Sequence, residues 1–555
     1  MKTTACWIAI FAFTLLFQIP KTTSSQPQYL GSWEGMFMND FKTVVEIKVL
    51  DNDKYAGTIK MFSGENVIQN DSITKVVETN LQLTFYIQAK DTEFKGRFDV
   101  DYSRLKGEFI FPDKSKHPIE LSRKNENQAL NQEPDDDYWC FKNTRFTTEE
   151  LGEDLKFLVD KLEQHHPRLY AYTSKEEFEK QVYQIKQIIS KEMDIVNFYR
   201  LIAPVVESVK CSHTGVRLPE NYQKGIYKNE NFFPLKLLFV DHRAFCVENP
   251  DTDSEIVPGC EILSINNKSI TDIKQSLFRF IPSEGNNLST KQYYLNRDFN
   301  SLFNLLDNSS TYNVEFVHLN TTLKGTLNAC KFTEIEHLIN SDTRFKPFEF
   351  FINHENSTGY LTVRSFAISD VNMYIKEMDD IFSKLHNNMI DRLILDLRGN
   401  SGGHPIFAAQ LFSYLTDKEF TYFKRNADIT AFEPLYNEMQ PNPVQFKGNI
   451  YVLINGGCLS TTGHLVSLLK YHTNAIFIGE EPGSTYLCND FSLKVFLPNT
   501  GIEVNIPRTS FETALNHTEK FSPFVVDYQI TQTVEQYLEG NDCFLDFVSD
   551  LLTKP

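Results

Sequence analysis

Glycine is scarce in this chain, with 24 glycines among 555 residues, or about 4% against a usual value of about 7%. Where glycine is rare, a cluster of glycines marks backbone that needs a conformation or a close approach that other residues do not allow. Nine of the 24 glycines lie between Gly399 and Gly483. We therefore look for the functional site in this segment.

Positive charge is also in short supply. The chain has 55 Lys and Arg against 73 Asp and Glu, which gives a formal net charge of −18. This balance excludes a bulk basic surface, so we predict no nucleic-acid partner. Hydrophobic residues still make up 41% of the chain, with 46 Phe, and this share excludes a wholly disordered protein.

Cysteine is sparse as well, with nine residues and no CxxC spacing. This pattern excludes a zinc site and a dense disulfide framework, and we predict neither a metal nor an organic cofactor. One or two disulfides remain open, because pairing is not readable from spacing.

The chain has no long hydrophobic run. The longest apolar stretch, from Cys6 to Ile19, is too short to span a bilayer, so we predict no membrane span. With Lys2 before it and small residues up to Ser25 after it, the stretch is typical of a secretory signal peptide over residues 1–25. The expected location is periplasmic or extracellular. The oligomeric state is not readable.

Composition and periodicity divide the rest of the chain. Residues 29–124 alternate apolar and polar positions and predict an all-β domain, with a ligand-binding role and a packed accessory role both open. Residues 125–145 are polar and acidic and predict a linker. Helical periodicity over 146–215 predicts a helical lobe, with Thr147 and Glu150 as a capping box. Residues 231–332 are strand-rich, and alternating strands and helices over 345–540 predict an α/β core.

Two glycine-rich loops follow buried strands of this core. The first is Asp396-Leu397-Arg398-Gly399-Asn400-Ser401-Gly402-Gly403, and the second is Asn455-Gly456-Gly457-Cys458-Leu459-Ser460. A serine at a strand-to-helix turn exposes its hydroxyl above a helix N-terminus, which favours developing negative charge. From the residues alone, catalysis by Ser460, an N-capping serine and a phosphate-cradling loop all stay open.

The order of these loops resembles the tail-specific, or C-terminal processing, serine peptidase family. The likeness covers about residues 146–540 and includes Tyr360-Leu361-Thr362-Val363-Arg364-Ser365-Phe366 before the first loop and Ile478-Gly479-Glu480-Glu481 after the second. The family includes the catalytic core of tricorn protease. The resemblance implies a crotonase-like α/β core with a helical N-terminal lobe and a PDZ-like insert over 231–332. The all-β N-terminal domain lies outside the resemblance.

The resemblance also implies the roles of individual residues. No lysine occurs from Tyr471 to Ser492, so the family's Ser–Lys version has no lysine where it needs one. Cys211-Ser212-His213-Thr214 fits the tricorn-like version, in which His213 is general base to Ser460, with Ser212 beside it. Glu519 is the best match to the late acid that orients the base. The expected oxyanion hole is formed by the N–H groups of Thr461 and of the pair Gly402 and Gly403.

These residues imply a secreted serine endopeptidase that acts on a peptide or protein substrate through an acyl-enzyme. A non-catalytic carrier of a peptide or an apolar ligand is the alternative, since interphotoreceptor retinoid-binding proteins share this core. An esterase with the same acyl chemistry is a third reading. His404 and His464 are expected to serve packing or surface roles, Lys470 to be a solvated helical lysine and Cys458 to be an apolar neighbour of the nucleophile.

Overall fold

The computed structural model describes residues 30–37, 41–50, 54–63, 66–79, 82–87, 90–98, 104–112, 114–124, 134–339, 346–368, 370–425, 429–515 and 524–553. The chain divides into two compact units, Met1–Asn131 and Gln132–Pro555. The predicted signal peptide lies outside the described residues. Among the described helices, none is long and apolar enough to cross a membrane.

The first unit is a closed barrel, which confirms the predicted all-β domain. Its eight strands are β1 (Gly31–Phe37), β2 (Phe41–Leu50), β3 (Lys54–Ser63), β4 (Asn66–Thr79), β5 (Gln82–Ile87), β6 (Thr92–Phe98), β7 (Arg104–Ile110) and β8 (Lys116–Lys124). Each strand pairs antiparallel with the next, and β1 pairs with β8, which closes the barrel.

The barrel interior is filled by apolar side chains from all eight strands, including the fully buried Trp33, Phe85 and Phe94. Gly96 and Gly107 face each other on β6 and β7. A Cβ on either glycine would lie within 2.7 Å of the Phe94 ring, so these glycines make room for an aromatic ring. The interior is therefore a packed core.

The second unit begins with a helical lobe. It comprises α1 (Pro134–Asn143), α2 (Thr148–His165), α3 (Lys175–Ile188), α4 (Ile195–Glu207), β9 (Gly215–Arg217) and α5 (Glu220–Asn229). Thr147 caps α2 in a capping box with Glu150, as predicted. The linker prediction over 125–145 does not account for α1. This helix is held by Tyr138, which is buried and stacked on Tyr222 at 5.4 Å between ring centroids.

An antiparallel sheet with two main helices follows. Its elements are β10 (Lys236–Val240), β11 (Arg243–Glu248), β12 (Glu261–Ile265), β13 (Lys268–Ser269), α6 (Ile270–Phe278), α7 (Leu288–Asn304), β14 (Thr311–His318), β15 (Thr321–Asn328) and α8 (Phe332–Ile339). The strand order is β10-β11-β12-β14-β15, with β13 beside β12. We call these residues, 236–339, the insert. Its likeness to a PDZ module stays a prediction.

The α/β core completes the unit. Its strands are β16 (Phe348–Asn353), β17 (Thr358–Val363), β18 (Arg392–Asp396), β19 (Phe420–Thr421), β20 (Glu438–Met439), β21 (Asn449–Ile454), β22 (Ile476–Gly479), β23 (Leu487–Asp490), β24 (Leu493–Phe496), β25 (Glu503–Ile506), β26 (Thr509–Glu512) and β27 (Tyr528–Gln529). Its helices are α9 (Val371–Asn387), α10 (Pro405–Ser413), α11 (Thr461–His472), α12 (Val534–Leu538), α13 (Cys543–Thr553) and a 3-10 turn over Thr430–Tyr436.

The main sheet has the order β16-β17-β18-β21-β22-β27, parallel from β17 onward. Alternate residues face opposite sides: Leu393 and Leu395 join the cluster that includes α9, α10 and α11, whereas Ile394 packs with α13. Both faces are thus covered by helices, as parallel sheets require. Because α13 covers one face, the core extends beyond its predicted end at residue 540.

Two contacts tie the helical lobe to the core. Strand β9 pairs with β25, matching Val216 with Val504. Asp154 of α2 is fully buried and accepts hydrogen bonds from the N–H groups of Asn499 and Thr500, at 2.8 and 2.9 Å, and from the Thr500 hydroxyl at 2.6 Å. These contacts fix the loop between β24 and β25.

We expect Asp154→Ala to lower the free energy of unfolding by about 3 kcal/mol, because it leaves several buried donors without an acceptor. Urea denaturation followed by circular dichroism measures this loss. Asp160→Ala is the matched control on the same helix, since Asp160 is exposed and pairs with the exposed Lys156. Equal stability of the two variants would contradict the expectation.

Candidate active site

Ser460 lies at the turn between β21 and α11, at the carboxyl end of the parallel strands. Its backbone has φ 54° and ψ −125°, a conformation that costs a non-glycine residue energy and that recurs at functional sites. Hydrogen bonds on both sides hold it: its N–H donates to the Ser484 hydroxyl at 3.2 Å, and its carbonyl accepts from His464 N–H at 3.2 Å. The hydroxyl therefore stands on a fixed turn at a helix N-terminus.

The first glycine loop lies beside this turn, because β18 and β21 are neighbours that end at the same level, with Asp396 opposite Leu453. Arg398 fixes the start of the loop by forming bidentate pairs with Asp396 and Asp542. Asn400 fixes its middle, since its amide donates to Val363 O at 3.0 Å and its amide oxygen accepts from Gly402 N–H at 2.9 Å.

Glycine is required at Gly402 by space and by conformation. Its φ is +103°, and a Cβ there would lie 2.8 Å from the Ser460 Cβ. The structure thus brings Gly402 against Ser460, as predicted, but the Gly402 N–H is already bonded to Asn400. The predicted use of this N–H in an oxyanion hole would require it to leave that bond.

Gly403 and Thr461 offer the other two predicted donors. The Gly402 carbonyl accepts from Phe366 N–H at 2.9 Å, so in the planar trans peptide the Gly403 N–H points away from Phe366. Thr461 is the first residue of α11, where an N–H has no partner within the helix. Its hydroxyl donates to Gly403 O at 2.5 Å, which joins the two loops.

His213 reaches the site from the helical lobe. It lies just before β9, and its carbonyl accepts from the Asn505 amide of β25 at 2.6 Å. Its Nδ1 is 3.2 Å from the Ser212 hydroxyl, so the structure brings these two predicted residues together. The imidazole is about one-fifth exposed. The segment that carries His213 is therefore fixed to the core by the Asn505 amide and by the pairing of β9 with β25.

The thiol of Cys488, on β23, contacts both His213 and Ser460. Its Sγ is 3.5 Å from His213 Nδ1 and 3.8 Å from Ser460 Oγ. Burial raises the pKa of this thiol well above its usual range, so it is a neutral thiol near pH 7. Both Ser460 and His213 thus contact the same sulfur atom, within 3.8 Å.

Two acids lie near His213 and Ser212. Asp490 Oδ2, at the end of β23, is 3.6 Å from His213 Nε2. Glu284, in the turn between α6 and α7, accepts from Ser212 N–H at 3.5 Å. The predicted acid, Glu519, lies outside the described residues. No sequence motif indicates Asp490 or Glu284, because each is far from His213 in the sequence and comes close to it only in the fold.

His404 and His464, which flank the site in sequence, make structural contacts. His404 is the N-cap of α10, with its Nδ1 accepting from Ile406 N–H at 3.3 Å. His464 is buried against Phe423, with ring centroids 5.0 Å apart. Burial, aided by the nearby charge of His213, lowers the pKa of His464 to about 3. A neutral imidazole at this position is a packing residue.

Lys470 and Cys458 are also removed from the chemistry. Lys470, in the last turn of α11, forms an ion pair with Asp527 at 3.1 Å, so it is paired where a solvated lysine was expected. Cys458 is fully buried and its thiol donates to Leu397 O at 3.1 Å. Burial raises the pKa of this thiol to about 12. The seven cysteines whose side chains the structure describes are all free thiols.

No cluster of three or more His, Cys, Asp or Glu side chains that could hold a metal ion is found within the described residues. The groups that the structure brings together at the site are a hydroxyl, an imidazole and backbone N–H groups. A serine on a strained strand-to-helix turn, at the carboxyl ends of parallel strands, is the arrangement of an α/β serine hydrolase, and the protein is of that class.

Comparisons with known proteins identify the family. Residues 357–510 match the model of Peptidase family S41. No curated protein sequence matches the chain. This match places a segment of peptidase family S41, the tail-specific family, in the α/β core, and the protein is a serine peptidase. The predicted family is thus confirmed.

Solved structures add a likeness of fold. Mature CPAF is 14% identical with a TM-score of 0.53, over 73% of this chain and 96% of that chain. Mature CPAF complexed with lactacystin is 13% identical with a TM-score of 0.53, over 73% of this chain and 98% of that chain. Tricorn protease is 12% identical with a TM-score of 0.37, over 92% of this chain and 45% of that chain.

Three nucleophilic side chains, Ser460, Cys458 and Cys488, lie close together, and their environments predict which one reacts. We expect Cys458→Ala and Cys488→Ala to keep fluorophosphonate labelling, because both thiols are buried and protonated and the thiolate is the reactive form. Ser460→Ala is expected to lose it. Mass spectrometry of the labelled peptide measures the site, and labelling that survives in Ser460→Ala but disappears in Cys488→Ala would contradict this.

Proposed function

We propose that this serine peptidase is an endopeptidase that works outside the cytoplasm, with Ser460 as nucleophile and His213 as general base. The single observation that carries the proposal is the strained turn at Ser460, which holds the hydroxyl at the N-terminus of α11, where the Cys488 sulfur contacts both this hydroxyl and the His213 imidazole. An unassisted serine hydroxyl is a weak nucleophile at neutral pH, so a neighbouring base is needed.

The reaction follows from these groups. The Ser460 Oγ forms a bond to the substrate carbonyl carbon as its proton passes to the His213 imidazole. The C–N bond then breaks and the imidazolium returns the proton to the leaving amine. Water, deprotonated by His213, displaces Ser460 from the acyl-enzyme and releases the carboxylic acid product. A hydrogen bond between base and nucleophile often tightens only when substrate binds.

We assign the oxyanion to the N–H groups of Gly403 and Thr461. The Thr461 N–H opens α11, whose dipole favours negative charge at this end. The Thr461 hydroxyl bond to Gly403 O holds the two residues together. Loss of one such donor typically costs about 10²–10³ in turnover. Gly402 then supports the hole through its lack of a side chain, since its N–H is bonded to Asn400.

The insert supports cleavage within a chain. Phe232 lies just before the insert, where a PDZ-like module would carry the loop that binds a terminal carboxylate. It pairs with Cys330 through two backbone hydrogen bonds of 3.0 and 3.1 Å. Its N–H is therefore occupied. Access of an extended peptide along the sheet edge requires no free C-terminus. The proposed location outside the cytoplasm rests on the signal-like residues 1–25.

We expect Ser460→Ala and His213→Ala to lower casein turnover by at least about 10³-fold, because each removes one member of the nucleophile–base pair. The measurement is release of acid-soluble peptides by the full chain. Lys470→Ala is the matched control, since this lysine pairs with Asp527 at the other end of α11.

Other outcomes separate the rival functions. Equal casein turnover by wild type and Ser460→Ala would overturn the proposal. Labelled wild type that turns over esters and no peptide would identify an esterase. Wild type that binds peptide without labelling or turnover would identify a carrier.

A further inference from the structure

The turn between α6 and α7 holds an acid close to the base segment. Glu284 accepts a hydrogen bond from Ser212 N–H at Oε2, at 3.5 Å, and another from the Tyr172 hydroxyl at Oε1, at 3.3 Å. The Ser212 hydroxyl in turn lies 3.2 Å from His213 Nδ1. A continuous chain of polar contacts therefore runs from Tyr172 through Glu284 and Ser212 to the imidazole.

A backbone hydrogen bond also anchors this turn to the segment that carries Ser212 and His213. Gly285 N–H donates to Lys210 O at 2.9 Å, and the Lys210 ammonium bonds the Asn286 side chain at 2.5 Å. Both Gly285 and Lys210 have positive φ, of 56°, and the Tyr172 ring lies against Gly285, 3.1 Å from where a Cβ would be. Glu284 is thus held in place by its neighbours.

The turn is also anchored to the nucleophile side. The Asn287 amide donates to Pro482 O at 3.0 Å, and the Thr290 hydroxyl donates to Gly456 O at 3.1 Å. Asn287 is the N-cap of α7, so these contacts fix the start of that helix. The residues that hold Glu284 therefore touch both halves of the site.

From this geometry we propose that Glu284, a residue of the insert, is a positioning residue that orients His213 through Ser212. As a carboxylate it accepts from the Ser212 N–H. This bond fixes the residue whose hydroxyl lies at Nδ1, and the negative charge stabilises the positive charge that the imidazole gains in the reaction. Asp490 approaches the other ring nitrogen. The inference rests on the proposed roles of Ser460 and His213.

The environment of Glu284 makes this role depend on pH. Burial raises its pKa to about 7, against the opposing effect of Ser212, Tyr172 and the Arg168 cation. The titratable or charged side chains around it are Arg168, Tyr172, Cys211, His213, Tyr486 and Cys488. Since the pKa of a carboxyl marks where it ionises, Glu284 is charged above about pH 7 and neutral below it.

Glu284→Gln keeps the shape and the acceptor for Ser212 N–H and removes the charge. We expect kcat/KM of Glu284→Gln to equal that of wild type near pH 5.5 and to be about tenfold lower near pH 8.5. A tenfold loss is smaller than the effect of removing a general base, because Glu284 only positions that base. Peptide hydrolysis across this pH range by the full chain measures the ratio. A ratio that stays constant with pH would overturn the proposal, because a purely structural role has no ionisation.

A double-mutant cycle tests the route through Ser212. If Glu284 acts through the Ser212 hydroxyl, Glu284→Gln lowers activity at pH 8.5 in wild type and has little further effect in Ser212→Ala. The same fold-loss in both backgrounds would overturn the route. Glu163→Gln is the matched control. Glu163, in the helical lobe, also accepts a hydrogen bond from a tyrosine hydroxyl, that of Tyr170, at 2.8 Å.

Labelling separates failure of this inference from failure of the proposed function. If fluorophosphonate does not label Ser460 in the wild type, both the proposed function and this inference are overturned. Wild type that is labelled and active, with a Glu284→Gln variant that is folded by circular dichroism and equally active at every pH, overturns the inference alone.

Discussion

The close packing of two glycine loops at the ends of β18 and β21 is the constraint on which the site depends. A Cβ at Gly402 would lie 2.8 Å from Ser460 Cβ, and one at Gly457 would lie 2.7 Å from the Tyr293 ring of α7. Only backbone without side chains allows this approach. The few glycines of this chain are concentrated here because the catalytic turn, the first loop and the insert all meet at this point.

Three segments that are distant in sequence meet around the candidate site, and different interactions hold each one. The nucleophile turn follows a buried strand, the base segment is fixed by the β9–β25 pairing and Asn505, and the acid Glu284 is carried by the insert. Strain at Ser460 is offset by hydrogen bonds to its N–H and carbonyl. Catalytic geometry in this peptidase therefore depends on packing between the helical lobe, the insert and the core.

Features governed by neighbouring residues were predictable. The capping box at Thr147, the buried strand before Ser460 and the paired contact of Ser212 with His213 involve residues within a few positions of one another. Helix α1 escaped prediction because its acidic sequence is typical of a linker, and its stability comes from packing of Tyr138 on Tyr222. Helix α13 was missed for a similar reason, since the sheet face that it covers is distant in sequence.

The sequence by itself determined the family and the glycine-rich turn before Ser460, because short-range motifs are formed by consecutive residues. Tertiary structure alone decided which side chains surround them. The contact of the Cys488 sulfur with both Ser460 and His213, the hydrogen bond of the Gly402 N–H to Asn400 and the approach of Asp490 and Glu284 to the His213 segment arise from packing. Distances between residues far apart in the chain are set by the fold, and no local pattern encodes them.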